Sequence, residues 1–211
     1  MRSELETKIS YQFHDPALME QALVHSSYCN EHGTSRLESN ERLEFLGDAV
    51  LELASSRYFY EKFPGYSEGQ LSRIRAACVC EPSLGAVARG LELGALLRLG
   101  RGERKNGGHK RDSILSDALE ALVGAVFLDG GFEEAESLAR RVILPQAEKA
   151  GLFFDAKTTL QELVQAEGIS EIRYELLAEE GPEHEKIFRS AVYLDDTDEP
   201  AAAADALSRR S

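Results

Sequence analysis

Along residues 40–51, Asn-Glu-Arg-Leu-Glu-Phe-Leu-Gly-Asp-Ala-Val-Leu, apolar side chains recur every three to four positions and no proline intervenes. That period predicts a helix. At about 100° per residue, Glu41, Glu44, Asp48 and Glu52 fall in one stripe about 80° wide, with Phe45 and Leu51 on its borders. Leu43, Leu46, Ala49, Val50 and Leu53 cover most of the remaining circumference, and Arg42 is the exception. A surface helix usually mixes both signs of charge on a broad polar face. A narrow acidic strip on a mostly apolar rod therefore calls for something cationic, because burying unpartnered carboxylates is costly.

A second stretch, Ser113–Leu128, has only Asp117 and Glu120 as charged residues, one turn apart on one face, with Gly124 extending that face without a side chain. The rest is apolar all round, which predicts burial in a core. Single carboxylate pairs on helices are most often solvated charge or salt-bridge partners. Two pairs on two otherwise apolar helices point instead to one shared site. Four carboxylates packed together repel and take up protons. Divalent cations relieve that conflict, and all-oxygen ligation favours Mg²⁺ or Mn²⁺ over Zn²⁺.

The remaining pattern predicts a largely helical first part. A helix from residue 3 breaks at Asp15-Pro16, and a second runs from Pro16 to about Asn30 with Asp15 as its cap. The acidic helix ends at Pro64-Gly65. Others are expected from Ser67 to about Cys80, from Glu81 to about Gly94, over residues 113–128, and from Glu133 to about Lys149. Ahead of the 113–128 helix lies Arg98–Arg111, which holds Arg98, Arg101, Arg104, Lys105, Lys110 and Arg111 among four glycines. It reads as a flexible linker suited to a phosphate backbone, or as a solvated loop. From Asp155 the character changes to one amphipathic helix, 155–165, and alternating strands at 173–178 and 187–194 around Gly181-Pro182-Glu183-His184. Asp195–Ala204 reads as loop.

Composition narrows the class. The 211 residues carry a net charge of −13, 43% hydrophobic and 29% charged residues, ordinary values for one or two globular domains. No apolar run approaches the roughly eighteen residues of a membrane span, and the charged N-terminus lacks a signal-peptide core. Cys29, Cys78 and Cys80 are odd in number and not in zinc spacing, so reduced thiols in a cytoplasmic protein are expected. The acidity opposes nucleic acid at long range, so any such partner must be met by local basic patches or bound cations.

The run Asn40–Leu51 resembles the signature of ribonuclease III endonucleases. His25-Ser26-Ser27-Tyr28, Glu68–Ser72, Lys110–Ser113 and Asp117–Ala121 resemble that family's other motifs in the same order, over roughly residues 5 to 150. The resemblance implies a mainly α protein: an all-helical endonuclease domain over 1–150, followed by a small α+β double-stranded-RNA-binding-like domain over 155–211 that lacks its C-terminal helix. It implies a homodimer that cleaves double-stranded RNA, in ribosomal or messenger RNA processing, by two-metal-ion phosphodiester hydrolysis. Each protomer cuts one strand, leaving 5′-phosphate ends with short 3′ overhangs. Glu44, Asp48, Asp117 and Glu120 would hold Mg²⁺, for which Mn²⁺ could substitute, with Asp48 and Glu120 indispensable to catalysis and no organic cofactor or membrane involved. Glu41, Glu68, Arg104, Lys105, Lys110 and Arg111 would position RNA. Phe45 would insert into the partner subunit, or else pack in the core.

The C-terminal part resembles the start of a double-stranded-RNA-binding domain. By position, Thr158, Gln161, Glu162 and Gln165 would face one minor groove and His184 the next, although His184 alone reads as an ordinary loop histidine. The segment departs from that family in charge, with six Lys/Arg against fourteen Asp/Glu over 155–211, in the absent third strand and in the absent last helix. A truncated domain that binds RNA weakly is expected. The alternative is a non-catalytic duplex-RNA-binding or ribosome-assembly factor on the same fold.

Overall fold

In the computed structural model, which describes residues 2–145, 172–180, 187–195 and 200–207, one apolar helix forms the axis of the first part of the chain. This helix, α9 (Asp112–Gly130), buries Ile114, Leu115, Ala118, Leu119, Ala121, Leu122, Val123, Ala125 and Val126. Burial on every side is what its composition requires. The helices packed most extensively on it are α2 (Pro16–Ala22), α4 (Glu41–Lys62), α6 (Glu81–Gly90) and α10 (Phe132–Leu138). The rest of this unit is α1 (Arg2–Ile9), α3 (Ser26–His32), α5 (Glu68–Cys78), α7 (Leu93–Leu96) and α8 (Arg101–Lys105). The chain divides into two compact units, Met1–Asp155 and Ala156–Ser211.

The caps follow sequence chemistry. The Asp15 side chain accepts from the Ala17 amide at the start of α2, and Ser67 and Gln70 form a reciprocal capping box at α5. The helix expected to run from Pro16 to Asn30 is two helices. It stops at Leu23, where Leu23 and Val24 turn outward to meet Arg98: the Arg98 amide donates to the Leu23 carbonyl at 2.8 Å and the His25 amide to the Arg98 carbonyl at 3.1 Å. The Val24 carbonyl accepts from the Asn40 amide at 2.7 Å. A tertiary backbone junction thus overrides local helix propensity.

Helix α4 is less enclosed than its apolar content predicts. Leu43, Gly47, Val50, Leu51 and Ala54 are buried against the core. Phe45 is 81% exposed and Leu53 58% exposed, and Ala49 between them is exposed as well. Only one stripe of the helix meets α9, so the opposite apolar face stays uncovered in this single chain. Where the two helices meet, a β-carbon on Gly47 would overlap the Glu120 backbone carbonyl, and one on Gly124 would overlap that of Leu43. Gly124 is therefore a helix-contact glycine, not a gap left open beside the carboxylates.

Arg98–Arg111 is not a flexible linker. It contains α8 and a 3₁₀ turn at Gly108–Lys110, and Gly108 is buried where a β-carbon would crowd Glu103. The last helix among the described residues begins at Phe132 and passes into a π-helical turn, Ala139–Ile143.

In the second unit β1 (Ile172–Glu180), β2 (Ile187–Leu194) and β3 (Ala202–Leu207) form one antiparallel sheet in the order β1-β2-β3. A bulge interrupts the β1 register between Leu176 and Ala178. The first two strands match the alternating pattern. The third corrects the reading of a loop through Ala204. Alanine is a poor strand former, but the edge of β2 supplies a ladder for its backbone, with Ser190 opposite Ala204, and the Ala201 amide joins by donating to the Val192 carbonyl at 2.8 Å.

Candidate functional site

The stripe on α4 and the pair on α9 meet. Glu44, Asp117 and Glu120 each offer a carboxylate oxygen, and the three lie within 4.8 Å of one another. The glycine contact places them there: with no side chain at Gly47 or Gly124, the two backbones approach closely, and Glu44 and Glu120 one turn away and Asp117 two turns away converge at the rim of the interface.

The electrostatics follow from the crowding. Burial pushes the Glu120 carboxyl up to about 8, and the charges of Asp48, Asp117 and Glu44 add to it. Burial likewise raises Glu44 to about 6, with Asp117, Glu41 and Asp48 contributing. Asp117 is raised by burial, pulled back by the ring of His25 and raised again by Glu81. Every charge acting on Glu44 and Glu120 is another carboxylate. Glu44 and Glu120 thus face only like charge, and the trio's donors are all hard oxygens, so the residues fit a Mg²⁺- or Mn²⁺-type cation.

Asp48 lies outside the trio. It is exposed, yet its charge reaches both Glu44 and Glu120. It therefore borders the site on the solvent side. The other two acids of the α4 stripe have cationic partners from elsewhere in the chain. Glu41 takes a two-pronged bond from Arg36, at 2.5 and 2.6 Å, which holds its carboxyl below the usual range, and Ser26 and His25 act on it in the same direction. Glu52 pairs with Arg75 at 2.9 Å. Glu68 opens α5, exposed, and accepts from the Ser72 hydroxyl at 2.8 Å. No described interaction joins it to the trio.

Most of the basic segment is engaged within the fold. Arg98 lies over the Tyr28 ring at 4.6 Å and donates to its hydroxyl at 2.8 Å. Arg101 meets Glu31, Arg104 donates to the Leu97 carbonyl at 2.5 Å, and Arg111 pairs with Glu103 at 3.2 Å. Lys105 and Lys110 are exposed and have no ion pair among the described residues. Thr158, Gln161, Glu162, Gln165 and His184 lie outside the described residues.

Periodicity does not single out Arg36, Arg75, Glu81 or His25. Their signal is tertiary, except that His25 stands at the head of the His-Ser-Ser-Tyr run. The cysteines are free, with Cys29 and Cys78 buried. No described helix is long and apolar enough to cross a membrane.

The family described as Ribonuclease-III-like matches residues 15–147, and the double-stranded RNA binding motif matches residues 156–208. "Ribonuclease 3" of Pelotomaculum thermopropionicum is 49% identical over 89% of this chain and 79% of its own length. That of Caldanaerobacter subterraneus is 46% identical over 99% of this chain and 98% of its own. The nuclease domain of ribonuclease III from Campylobacter jejuni, solved in work on flexibility in a region involved in dimer formation, superposes with a TM-score of 0.64. It is 43% identical and the match covers 69% of this chain and 98% of that one.

Proposed function

This chain belongs to the ribonuclease III family of endonucleases and carries its double-stranded-RNA-binding motif, and from that footing we propose how its own residues divide the work. Glu44, Asp117 and Glu120 hold a divalent cation, Mg²⁺ or Mn²⁺, and Asp48 completes the site from the solvent side. When bound, the cation supplies Lewis-acid charge for hydrolysis of a phosphodiester. The carboxylate trio is the observation that carries this reading: three half-buried acids, converging within 4.8 Å and destabilised by one another's charge, are an arrangement that ion binding relieves. Asp48 and Glu120 are the acids whose loss ends cleavage.

The substrate is double-stranded RNA, from ribosomal or messenger precursors, and the products carry 5′ phosphates and short 3′ overhangs. Lys105 and Lys110 are the members of the basic segment free to meet phosphates, and Arg104 and Arg111 chiefly brace that segment. Glu41 and Glu68 stand at the edge of the site as substrate-positioning acids. Thr158, Gln161, Glu162, Gln165 and His184 contact the minor grooves. The exposed face of α4 that includes Phe45 meets a second copy of the chain, so that two sites act on opposite strands. The protein works in the cytoplasm.

The test is cleavage of a long duplex RNA with Mg²⁺, wild type against Glu120→Gln, at low and near-physiological salt. Metal-dependent cutting that the substitution abolishes supports the assignment. A folded wild-type protein that cuts at neither salt overturns it and favours a duplex-RNA-binding role without catalysis. Cutting lost only at the higher salt assigns the weakness to phosphate contacts, which fall steeply with ionic strength.

A further inference from the structure

A carboxylate at the edge of an RNA site repels the phosphates it stands beside. Glu41 is such an acid, one turn before Glu44 on the same stripe of α4. What it touches is a cation. Arg36 closes a fork on it, with Nε 2.6 Å from one carboxylate oxygen and Nη2 2.5 Å from the other. The Arg36 side chain is 72% exposed, and its Nη1 has no partner among the described residues.

The arginine stands on a fixed base. It opens the 3₁₀ turn Arg36–Glu38, just ahead of α4. The Ser35 hydroxyl accepts from the Leu37 amide at 3.2 Å. The Arg36 carbonyl accepts from the Ser39 amide at 3.0 Å and from the Ser39 hydroxyl at 2.7 Å. Gln21 on α2 donates to the carbonyls of Leu37 and Ser39, at 3.2 Å each. Ser39 and Asn40 are buried, and the Asn40 amide donates to the Val24 carbonyl at 2.7 Å. The backbone of the turn is thus pinned to the core while the guanidinium stands in water. An exposed ion pair adds little to stability. The fork on Glu41 instead holds a cationic edge in place beside the carboxylate trio.

We propose that Arg36 meets a phosphate of the duplex beside the metal site, and that Glu41 positions RNA only through Arg36. With Nε and Nη2 on Glu41, the exposed Nη1 is left to donate to phosphate oxygens. A planar guanidinium already held by its fork has less freedom to lose on binding them. Glu41 itself does not touch the RNA. Arg36 serves the cleavage reading given above, on which this proposal rests.

Binding can be read without cutting, by fluorescence anisotropy of a labelled RNA duplex in the Glu120→Gln protein over a series of salt concentrations. Arg36→Ala should melt with its parent. It should bind about 10-fold more weakly, the loss of one charge-assisted contact, and the slope of log affinity against log salt should fall by about 1. Arg36→Lys keeps the charge without the fork and should lie between. Glu41→Ala alone should also weaken binding, because it releases the arginine, and should cost nothing further once Arg36 is alanine. If Arg36→Ala leaves affinity and salt slope unchanged, the proposal fails. It fails equally if Arg36→Ala with Glu41→Ala regains the parent's affinity and slope, because Arg36 then only cancels the charge of Glu41. If the wild type cuts no duplex RNA, the cleavage reading fails by itself, and the binding series still decides whether Arg36 meets a phosphate.

Discussion

Gly47 and Gly124 face each other across the contact of α4 and α9, so closely that a β-carbon on Gly124 would lie 3.1 Å from the Gly47 amide nitrogen. The two glycines do for the site what no side chain could. They bring two backbones together so that Glu44 and Glu120, one turn from the glycines, and Asp117, two turns away, converge.

Gly47→Ala should therefore be costly. Its new methyl group meets the Glu120 backbone carbonyl, which has no freedom to yield inside a buried helix. Overpacking of this kind costs about 1–3 kcal/mol and more where backbone must move. Urea denaturation should show that loss. The variant that still folds should also lose its stabilisation by Mg²⁺, because Glu120 is carried away from Glu44.

Proton and metal should compete at the trio. Glu120 titrates near 8 and Glu44 near 6 in the fold, both above the ordinary 4.5. The folded chain then binds more protons than the unfolded one, so these groups stabilise at low pH, and that contribution fades as pH rises from about 4.5 through 8. In chelator, thermal melts should fall across this window and Glu120→Gln should flatten the decline. Added Mg²⁺ should raise the melting temperature more at pH 8 than at pH 5, because only the ionised trio binds it.

A second buried acid should behave oppositely. Asp129, its side chain 2% exposed, accepts from the Tyr11 hydroxyl at 2.6 Å and from the amides of His14 and Asp15 at 2.8 Å each. Burial raises its carboxyl, but these donors together outweigh it and hold the group at about 2. Its contribution is present above the unfolded value near 4 and is lost as pH falls through 2. Asp129→Ala should cost about 1–3 kcal/mol, by removing the acceptor shared by the part-buried Tyr11 hydroxyl and the His14 and Asp15 amides, and Tyr11→Phe about 1 kcal/mol. Acid titration of Asp129→Asn should show a shallower loss of stability below pH 4 than the wild type.

Phe45→Ala should weaken self-association with little effect on the protomer. The ring is 81% exposed, so its removal opens no cavity in the single chain. If it is a central anchor between copies, truncation costs about 2 kcal/mol or more of dimer affinity. Sedimentation equilibrium over a dilution series reads this directly, and an unchanged association constant would remove Phe45 from the interface.

What could be read from the sequence followed a simple physical line. The apolar run of α9, the acidic stripe of α4, the cap at Asp15 and the helix start at Ser67 are local or periodic, and each is where the pattern put it. The misreadings have tertiary causes. The break at Leu23 and the order of the Arg98–Arg111 segment come from backbone bonds between residues far apart in the chain. The strand at Ala202–Leu207 is made by a neighbour's free edge and not by its own alanines. The exposure of Phe45 and Leu53 depends on which face of α4 the rest of the chain leaves uncovered. Asp48 shares a stripe with Glu44 on a helical wheel, but it stands one turn further along and faces solvent, which a wheel does not record.

The two halves of the trio are also separated in time. Glu44 is made with α4, whereas Asp117 and Glu120 belong to α9, after more than half of the first unit has been synthesised. Chains fold broadly from the N-terminus as they emerge. Until α9 has been synthesised and crosses α4, the chain carries Glu44 and Asp48 without Asp117 and Glu120. The proposed cutting centre therefore requires α9 as well as α4, and can assemble only when the first unit is nearly complete.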